Sequence, residues 1–356
     1  MDFTLLVIII VLAFIFDYIN GFHDAANSIA TIVATKVLTP FQAVAWAAFF
    51  NFVAYFISKY WIGEFKIGNT IAKSVNEKFI TLEVILAGII AAIAWNLITW
   101  KKGIPSSSSH TLIGSFMGAA LAHAGALSMN GVDVINYVKV IPTFLFIFLA
   151  PLIGLIMAYF FTVLIMHMCK KVLPHKAEKW FKRFQLVSSA LFSIGHGGND
   201  AQKVMGIIGA AVICYHININ DAAYVGLESE DRFSFFINDW GWVPIVSFIV
   251  IGLGTLSGGW RIIKTMGTKI TKVTPLDGVA AETAGAATLF LSEELGIPVS
   301  TTHTITGSIV GVGITKRISA VRWKVTLNLL WAWILTIPVS AVFAAIIYFL
   351  LTLLLG

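Results

Sequence analysis

The chain has 356 residues, 58% of them hydrophobic and only 12% charged. A soluble domain carries roughly 25% charged residues, so a water-soluble globular protein is excluded and a membrane protein is expected. The net charge of +6 does not point to nucleic acid, because the Lys and Arg residues stand at the ends of apolar runs and no nucleic-acid motif accompanies them.

The opening Met1-Asp2-Phe3 lacks the basic stretch and small-residue cleavage site of a secretory signal, and reads as the start of the first spanning helix. Residues 3–36 read as one helical, largely apolar run interrupted near its middle by Asn20-Gly21-Phe22-His23-Asp24-Ala25-Ala26-Asn27. At 1.5 Å per residue the run would be about 50 Å long, more than a bilayer core of about 30 Å needs. A tilted or broken helix is expected, interrupted at this motif. Pro40 opens a second span to about Lys59, a polar loop reaches Lys78, and a third span runs from Glu83 to Trp100.

Next comes Gly103-Ile104-Pro105-Ser106-Ser107-Ser108-Ser109-His110-Thr111, apolar from there to Met129, and then a long span from Lys139 to Met168. Lys170, Lys171, Lys176, Lys179, Lys182 and Arg183 form a basic stretch. Residues 185–215 are a second run interrupted by a polar motif, Gly195 to Lys203, followed by an acidic loop at 216–240 and spans at 242–260 and 276–292. Gly296-Ile297-Pro298-Val299-Ser300-Thr301-Thr302-His303-Thr304 then repeats the earlier hydroxyl-rich element, and a final helix starts at Trp323.

The same parts occur twice in the same order. This divides the chain into a first repeat at 1–169, a basic linker at 170–184 and a second repeat at 185–356. Positive-inside counting puts Lys36, Lys101-Lys102, the linker, Arg261 to Lys272 and Lys316 to Lys324 inside. Both termini then lie outside in the plasma membrane, and with five crossings per half the repeats are inverted. Cys169 and Cys214 fall near opposite faces, out of disulfide reach. The fold expected is an all-α polytopic membrane protein with two inverted-topology repeats, broken helices, and hydroxyl-rich elements that are either helix starts or re-entrant hairpins.

Inverted repeats with interrupted helices are the architecture of secondary transporters, with the site where the interruptions meet. One hydroxyl before an apolar run is an ordinary N-cap. Four serines mirrored by Ser-Thr-Thr exceed a cap and suit an anion at a helix start, which makes Ser107, Ser108, Ser109, Ser300, Thr301 and Thr302, with Asn27 and Asn199, the substrate candidates. Carboxylates inside membrane segments are costly and functional by default. Asp24, Asp200 and Glu282, with the amides Asn27, Asn199 and Gln202, supply the oxygen shell of a hard cation. Glu282 has no evident counterpart in the first half, and Asp17 reads as a helix-end acid. Lys203 either balances substrate charge or snorkels to the interface. His23, His110, His196 and His303 each read singly as a hydrogen-bonded core residue; as two symmetric pairs they are candidates for proton transfer or gating.

Gly21-Phe22-His23-Asp24-Ala25-Ala26-Asn27, Gly198-Asn199-Asp200-Ala201-Gln202-Lys203 and the two Gly-Ile-Pro-x-Ser-x-x-His elements resemble the inorganic phosphate transporter (PiT) family over essentially the whole chain. The resemblance implies a symporter of inorganic phosphate driven by sodium or protons, with the hydroxyl-rich elements on the substrate and the Asp/Asn motifs on the cations. His23 before the first Asp, and Gln202-Lys203 in the second copy, depart from the eukaryotic pattern and bear on the cation. Sodium, as a co-substrate rather than a cofactor, is the preferred coupling ion. Proton-coupled symport of phosphate or metal-phosphate, and sulfate transport, are the alternatives. The partners expected are phosphate, sodium or protons and the lipid bilayer, with no nucleic acid and with a homodimer left open. An enzyme is not expected; an intramembrane hydrolase built on Ser, His and Asp is the remote alternative, disfavoured because a nucleophile and base need one asymmetric site and the motifs come in related pairs.

Overall fold

The computed structural model describes residues 2–258 and 270–355. The described chain is helical almost throughout. The first half contains α1 (Asp2–Ala34), α2 (Pro40–Ile57), α3 (Lys66–Ala72), α4 (Leu82–Lys102), α5 (Ser108–Ala124) and α6 (Tyr137–Met168). One π-helical turn, Ser58–Ile62, extends α2, and a short β-hairpin, Ser128–Met129 with Val132–Asp133, joins α5 to α6. The second half contains α7 (Pro174–Asn218), α8 (Ala222–Val225), α9 (Ser229–Asp239), α10 (Trp242–Ser257), α11 (Pro275–Glu294), α12 (Thr301–Lys316) and α13 (Trp323–Leu355). The last residues of the expected 242–260 span, and the loop basic residues from Arg261 to Lys269, lie outside the described residues.

Five described helices are long and apolar enough to cross a membrane: α1, α2 with its π turn, α4, α6 and α13; α9 and α10 together make a sixth candidate bent by 73°. This is a multi-pass membrane protein. The other expected crossings fail the same criterion for physical reasons. At 17 and 16 residues, α5 and α12 are short, and α7 and α11 are too polar. Three of them are also the most enclosed helices: α5 is buried from Ser108 to Ala120, α12 from Thr301 to Gly313, and α7 from Phe192 to Cys214 without a gap. Helices that meet protein rather than lipid need not be apolar.

The expected breaks are absent. α1 runs unbroken through Asn20–Asn27 and α7 through Gly195–Lys203. A continuous helix satisfies its own backbone in an apolar medium, and a break would not. The glycines in these motifs serve close packing instead: a Cβ on Gly21 would lie 2.5 Å from Ile251 O in α10, and one on Gly197 would lie 2.6 Å from Asn51 O in α2. The basic stretch also differs from expectation, since from Pro174 onward it already forms the first turns of α7. Similarly, the polar loop after α2 contains α3 and the acidic loop contains α8 and α9.

The two halves exchange partners. α1 packs on α10 and α7 on α2, while α5 packs on α13 and α12 on α6. Matching glycines set the last two contacts. A Cβ on Gly118 would overlap Ala341 O, and a Cβ on Gly311 would overlap Leu155 O; Gly114 and Gly307, one turn earlier, are also tight against Ile337 and Pro151. Small residues four apart let helix backbones approach in this way. Gly118→Ala and Gly311→Ala are each expected to destabilise the protein by about 1–3 kcal/mol, the usual range for overpacking. Gly241→Ala, whose Cβ would have 3.6 Å to its nearest atom, is the control. The check is the unfolding midpoint in detergent, and equal midpoints for all three would disprove the packing role.

Candidate functional site

Each hydroxyl-rich element is the turn of a helical hairpin, α4 with α5 and α11 with α12. Gly103 and Gly296 have φ of 65° and 66°, the left-handed conformation that ends a helix and that a side chain disfavours. Behind them Ile104 N–H returns to Thr99 O at 2.9 Å and Ile297 N–H to Ser292 O at 2.9 Å. Proline follows, and Ser107 and Ser300 then cap the next helix by accepting from His110 N and His303 N at 3.2 and 3.3 Å. In the observed arrangement two of the expected substrate hydroxyls are therefore N-caps.

The two turns meet. Ser109 Oγ donates to Val299 O at 2.8 Å, and Thr302 Oγ1 to Ser106 O at 3.4 Å. Asn27, from α1, donates through Nδ2 to Thr301 Oγ1 at 3.1 Å and to Thr302 Oγ1 at 2.9 Å. The His110 and His303 rings lie 4.9 Å apart, and His303 stacks on Trp333 at 3.9 Å. The starts of α5 and α12 thus converge on one place, with the first-turn N–H groups that a helix leaves without intrahelical partners and a ring of hydroxyls.

Beside the turns lie the two aspartates. Asp24 accepts from Ser108 Oγ at 3.0 Å through Oδ2, and its Oδ1 is 2.9 Å from His23 Nδ1. Asp200 is ion-paired with Lys203 through Oδ1, while its Oδ2 lies 3.2 Å from His196 Nε2 and accepts from Asn20 Nδ2 at 3.3 Å. One ligand atom from each of Asp24, His196 and Asp200 falls within 4.8 Å of the others. The His196 tautomer follows from its neighbours. Thr255 Oγ1 gives its proton to Ile251 O, so it accepts from Asn51 Nδ2, and Asn51 Oδ1 must accept from His196 Nδ1 at 3.2 Å. In the neutral ring Nε2 is left with its lone pair facing a carboxylate. That contact is repulsive unless a cation or a proton lies between the two.

The remaining expected residues lie in separate places. Glu282 is held by Thr31 Oγ1 at 2.6 Å, Gln185 Nε2 at 3.0 Å and Ser188 Oγ at 2.5 Å, between α1, α7 and α11. Its partners come from both halves, although the sequence showed no counterpart for the acid itself. Asn199 donates to Ser292 Oγ at 3.0 Å, and Gln202 donates to Glu293 Oε1 at 2.8 Å. Ser58, in the π turn, donates to the same Glu293 oxygen at 2.6 Å. Gln202 thus serves the second hairpin rather than the Asp200 cluster. Thr70 of α3 closes over that hairpin by donating to Gly296 O at 2.7 Å.

All sixteen expected site residues are buried, at 3% exposure or less. So are several that the sequence did not single out: Asn20, Asn51, Thr99, Ser106 and Glu293. Lys203 is fully buried as well, which rules out snorkelling to the interface. Asp17 is not a helix-end acid but a fully buried residue in the middle of α1. One signal would have revealed it: Asp17, Asn20, Asp24, Asn27 and Thr31 recur at alternating spacings of three and four, which is one face of an unbroken helix. Cys169 and Cys214 are unpaired.

A model of the phosphate transporter family matches residues 20–344. A relative from Rhizobium meliloti (strain 1021), named a probable low-affinity inorganic phosphate transporter, is 46% identical over 98% of this chain and 96% of its own. One of the same name from Bacillus subtilis (strain 168) is 42% identical over 99% of each chain. Among solved structures, one named "The sodium-dependent phosphate transporter" superposes with a TM-score of 0.79 at 25% identity, covering 98% of this chain and 99% of the other. These proteins are transporters and not enzymes, which removes the hydrolase alternative. With turns that gather anion donors beside buried carboxylates, and with a family match across nearly its whole length, this chain belongs to the phosphate transporter family and is a membrane transporter of phosphate.

Proposed function

We propose that transport is symport, with sodium as the coupling ion, by alternating access between two inverted repeats in the plasma membrane. The observation that carries the coupling is the cluster of Asp24, His196 and Asp200, drawn from both halves, in which the His196 Nε2 lone pair faces carboxylate oxygen with no proton of its own to give. A small cation among them would bind α1 to α7. The sodium dependence in the name of the structural neighbour supports the choice of ion. Positive-inside asymmetry supports an orientation with the basic stretch inside and both termini outside.

Phosphate, in this reading, occupies the junction of the two turns. Ser108, Ser109, Thr301 and Thr302 release their present partners and donate to it, as does Asn27, together with the first-turn N–H groups of α5 and α12. Ser107 and Ser300 keep their capping role and shape the turns. A proton is the second reading for the coupling ion, favoured by His196 Nε2, since an imidazolium there would also relieve the contact with Asp200.

A hydrogen bond to a charged group is worth about 1.5–3 kcal/mol, or roughly tenfold to a hundredfold in affinity. Ser108→Ala and Thr301→Ala are each expected to weaken phosphate binding about tenfold without favouring sulfate. Isotopic phosphate binding to purified protein checks this, and unchanged affinity in a variant carrying alanine at Ser108, Ser109, Thr301 and Thr302 together would refute the site. The coupling ion is tested by phosphate uptake into proteoliposomes. Uptake that responds to a sodium gradient supports sodium, and uptake indifferent to sodium that collapses with the pH gradient shows protons.

A further inference from the structure

Asp17 presents two carboxylate oxygens, both fully buried and neither with a hydrogen-bond partner among the described residues. One turn later on the same face, Asn20 has its Nδ2 turned to Asp200, and its Oδ1 is likewise buried and unpartnered. Residues three apart on a helix are neighbours, and none of these three acceptor oxygens has a hydrogen-bond donor among the described residues. A buried carboxylate without a partner is strongly disfavoured. The charges acting on Asp17 are those of Asp200 and Lys203, but the Lys203 ammonium is already bonded to Asp200.

The internal duplication explains why an uncompensated acid stands here. When Gly21-Phe22-His23-Asp24-Ala25-Ala26-Asn27 is laid over Gly197-Gly198-Asn199-Asp200-Ala201-Gln202-Lys203, Asp200 matches Asp24 and Lys203 falls where the first copy has Asn27. The second copy thus carries its own tethered cation on one oxygen of its carboxylate. Three buried acids, Asp17, Asp24 and Asp200, share one lysine, and a cation in the cluster of Asp24, His196 and Asp200 leaves the Asp17 carboxyl without a partner.

We propose that Asp17 and the Asn20 Oδ1 form a second binding site for a hard monovalent cation, sodium in this carrier, beside the cluster of Asp24, His196 and Asp200. The inference rests on the cation-coupled reading above. Oxygen-only ligands select a hard ion, and a single carboxylate calls for a single charge.

The test uses the full-length protein in proteoliposomes, with labelled sodium and labelled phosphate counted in the same vesicles. Asp17→Asn is expected to lower the sodium-to-phosphate ratio by one and to flatten sodium activation from a Hill coefficient of about two towards one. Asn20→Ala, which keeps the carboxylate, is expected to raise the sodium concentration for half-activation about tenfold, the effect of losing one ligand to a charged group, with the ratio unchanged. It keeps the proposal testable should Asp17→Asn fail to fold. A wild-type ratio in Asp17→Asn together with wild-type sodium activation in Asn20→Ala would overturn this site while leaving sodium coupling intact. Loss of pH-gradient dependence in Asp17→Asn with the sodium ratio unchanged would also overturn it, by showing that Asp17 carries a proton. Wild-type uptake that responds to neither gradient would instead overturn the coupled reading, and this site with it.

Discussion

Asp24→Asn is expected to cut cation-driven phosphate uptake more than about a hundredfold while leaving the protein folded. The amide has the shape of the carboxylate, and its oxygen can still accept from Ser108, which now donates to Asp24 Oδ2 at 3.0 Å. What disappears is a charge at a place with 2% exposure, where removing one member of a buried ion pair costs about 3–5 kcal/mol; at 1.4 kcal/mol per decade that exceeds a hundredfold. Folding should not suffer, because the substitution also removes the desolvation penalty of a buried anion. The measurement is uptake under an inward sodium gradient, with the unfolding midpoint in detergent as the control. Uptake at the wild-type rate would show that the Asp24, His196 and Asp200 cluster is not the coupling site.

Lys203→Met is expected to destabilise the protein by about 3–5 kcal/mol, the cost of leaving one charge of a buried pair uncompensated. Lys203 and Asp200 are both fully buried, and of the partners of Asp200 only Lys203 carries a permanent positive charge. Adding Asp200→Asn to Lys203→Met should recover most of the loss, since a neutral pair of similar volume avoids the unpaired charge. Sodium should also stabilise the single variant more than the wild type, because Asp200 then has both oxygens open to an ion. Equilibrium unfolding of the four proteins closes the cycle. A double variant no more stable than Lys203→Met would show that Lys203 does not act by neutralising Asp200.

The sequence by itself determined the membrane class, the repeated motifs and the helix end and start at each Gly-Ile-Pro, while leaving open whether these were spanning-helix starts or hairpins. Composition allows few other solvents for such a chain, and Gly-Ile-Pro-x-Ser is a local instruction: a left-handed glycine ends one helix and a serine caps the next, whatever surrounds them. It also marked Asp24, Asn27, Asp200 and the hydroxyls, because polar groups in an apolar run stand out against their neighbours. The same contrast misled at α1 and α7. Polar residues and glycines resemble a break when read linearly, yet Asp17, Asn20, Asp24, Asn27 and Thr31 form a stripe on an intact helix, and Gly21 and Gly197 let α10 and α2 approach. Only the tertiary structure decided which polar groups share a place. Asp24 joins Asp200 and His196, Gln202 turns to Glu293, Glu282 gathers Thr31, Gln185 and Ser188, and Lys203 occupies Asp200. Those pairings span up to 251 residues of sequence, and they arise because each half packs its helices against the other, α1 on α10 and α7 on α2. A one-dimensional pattern records which face of a helix is polar, and the identity of the group it meets is fixed by packing between distant segments.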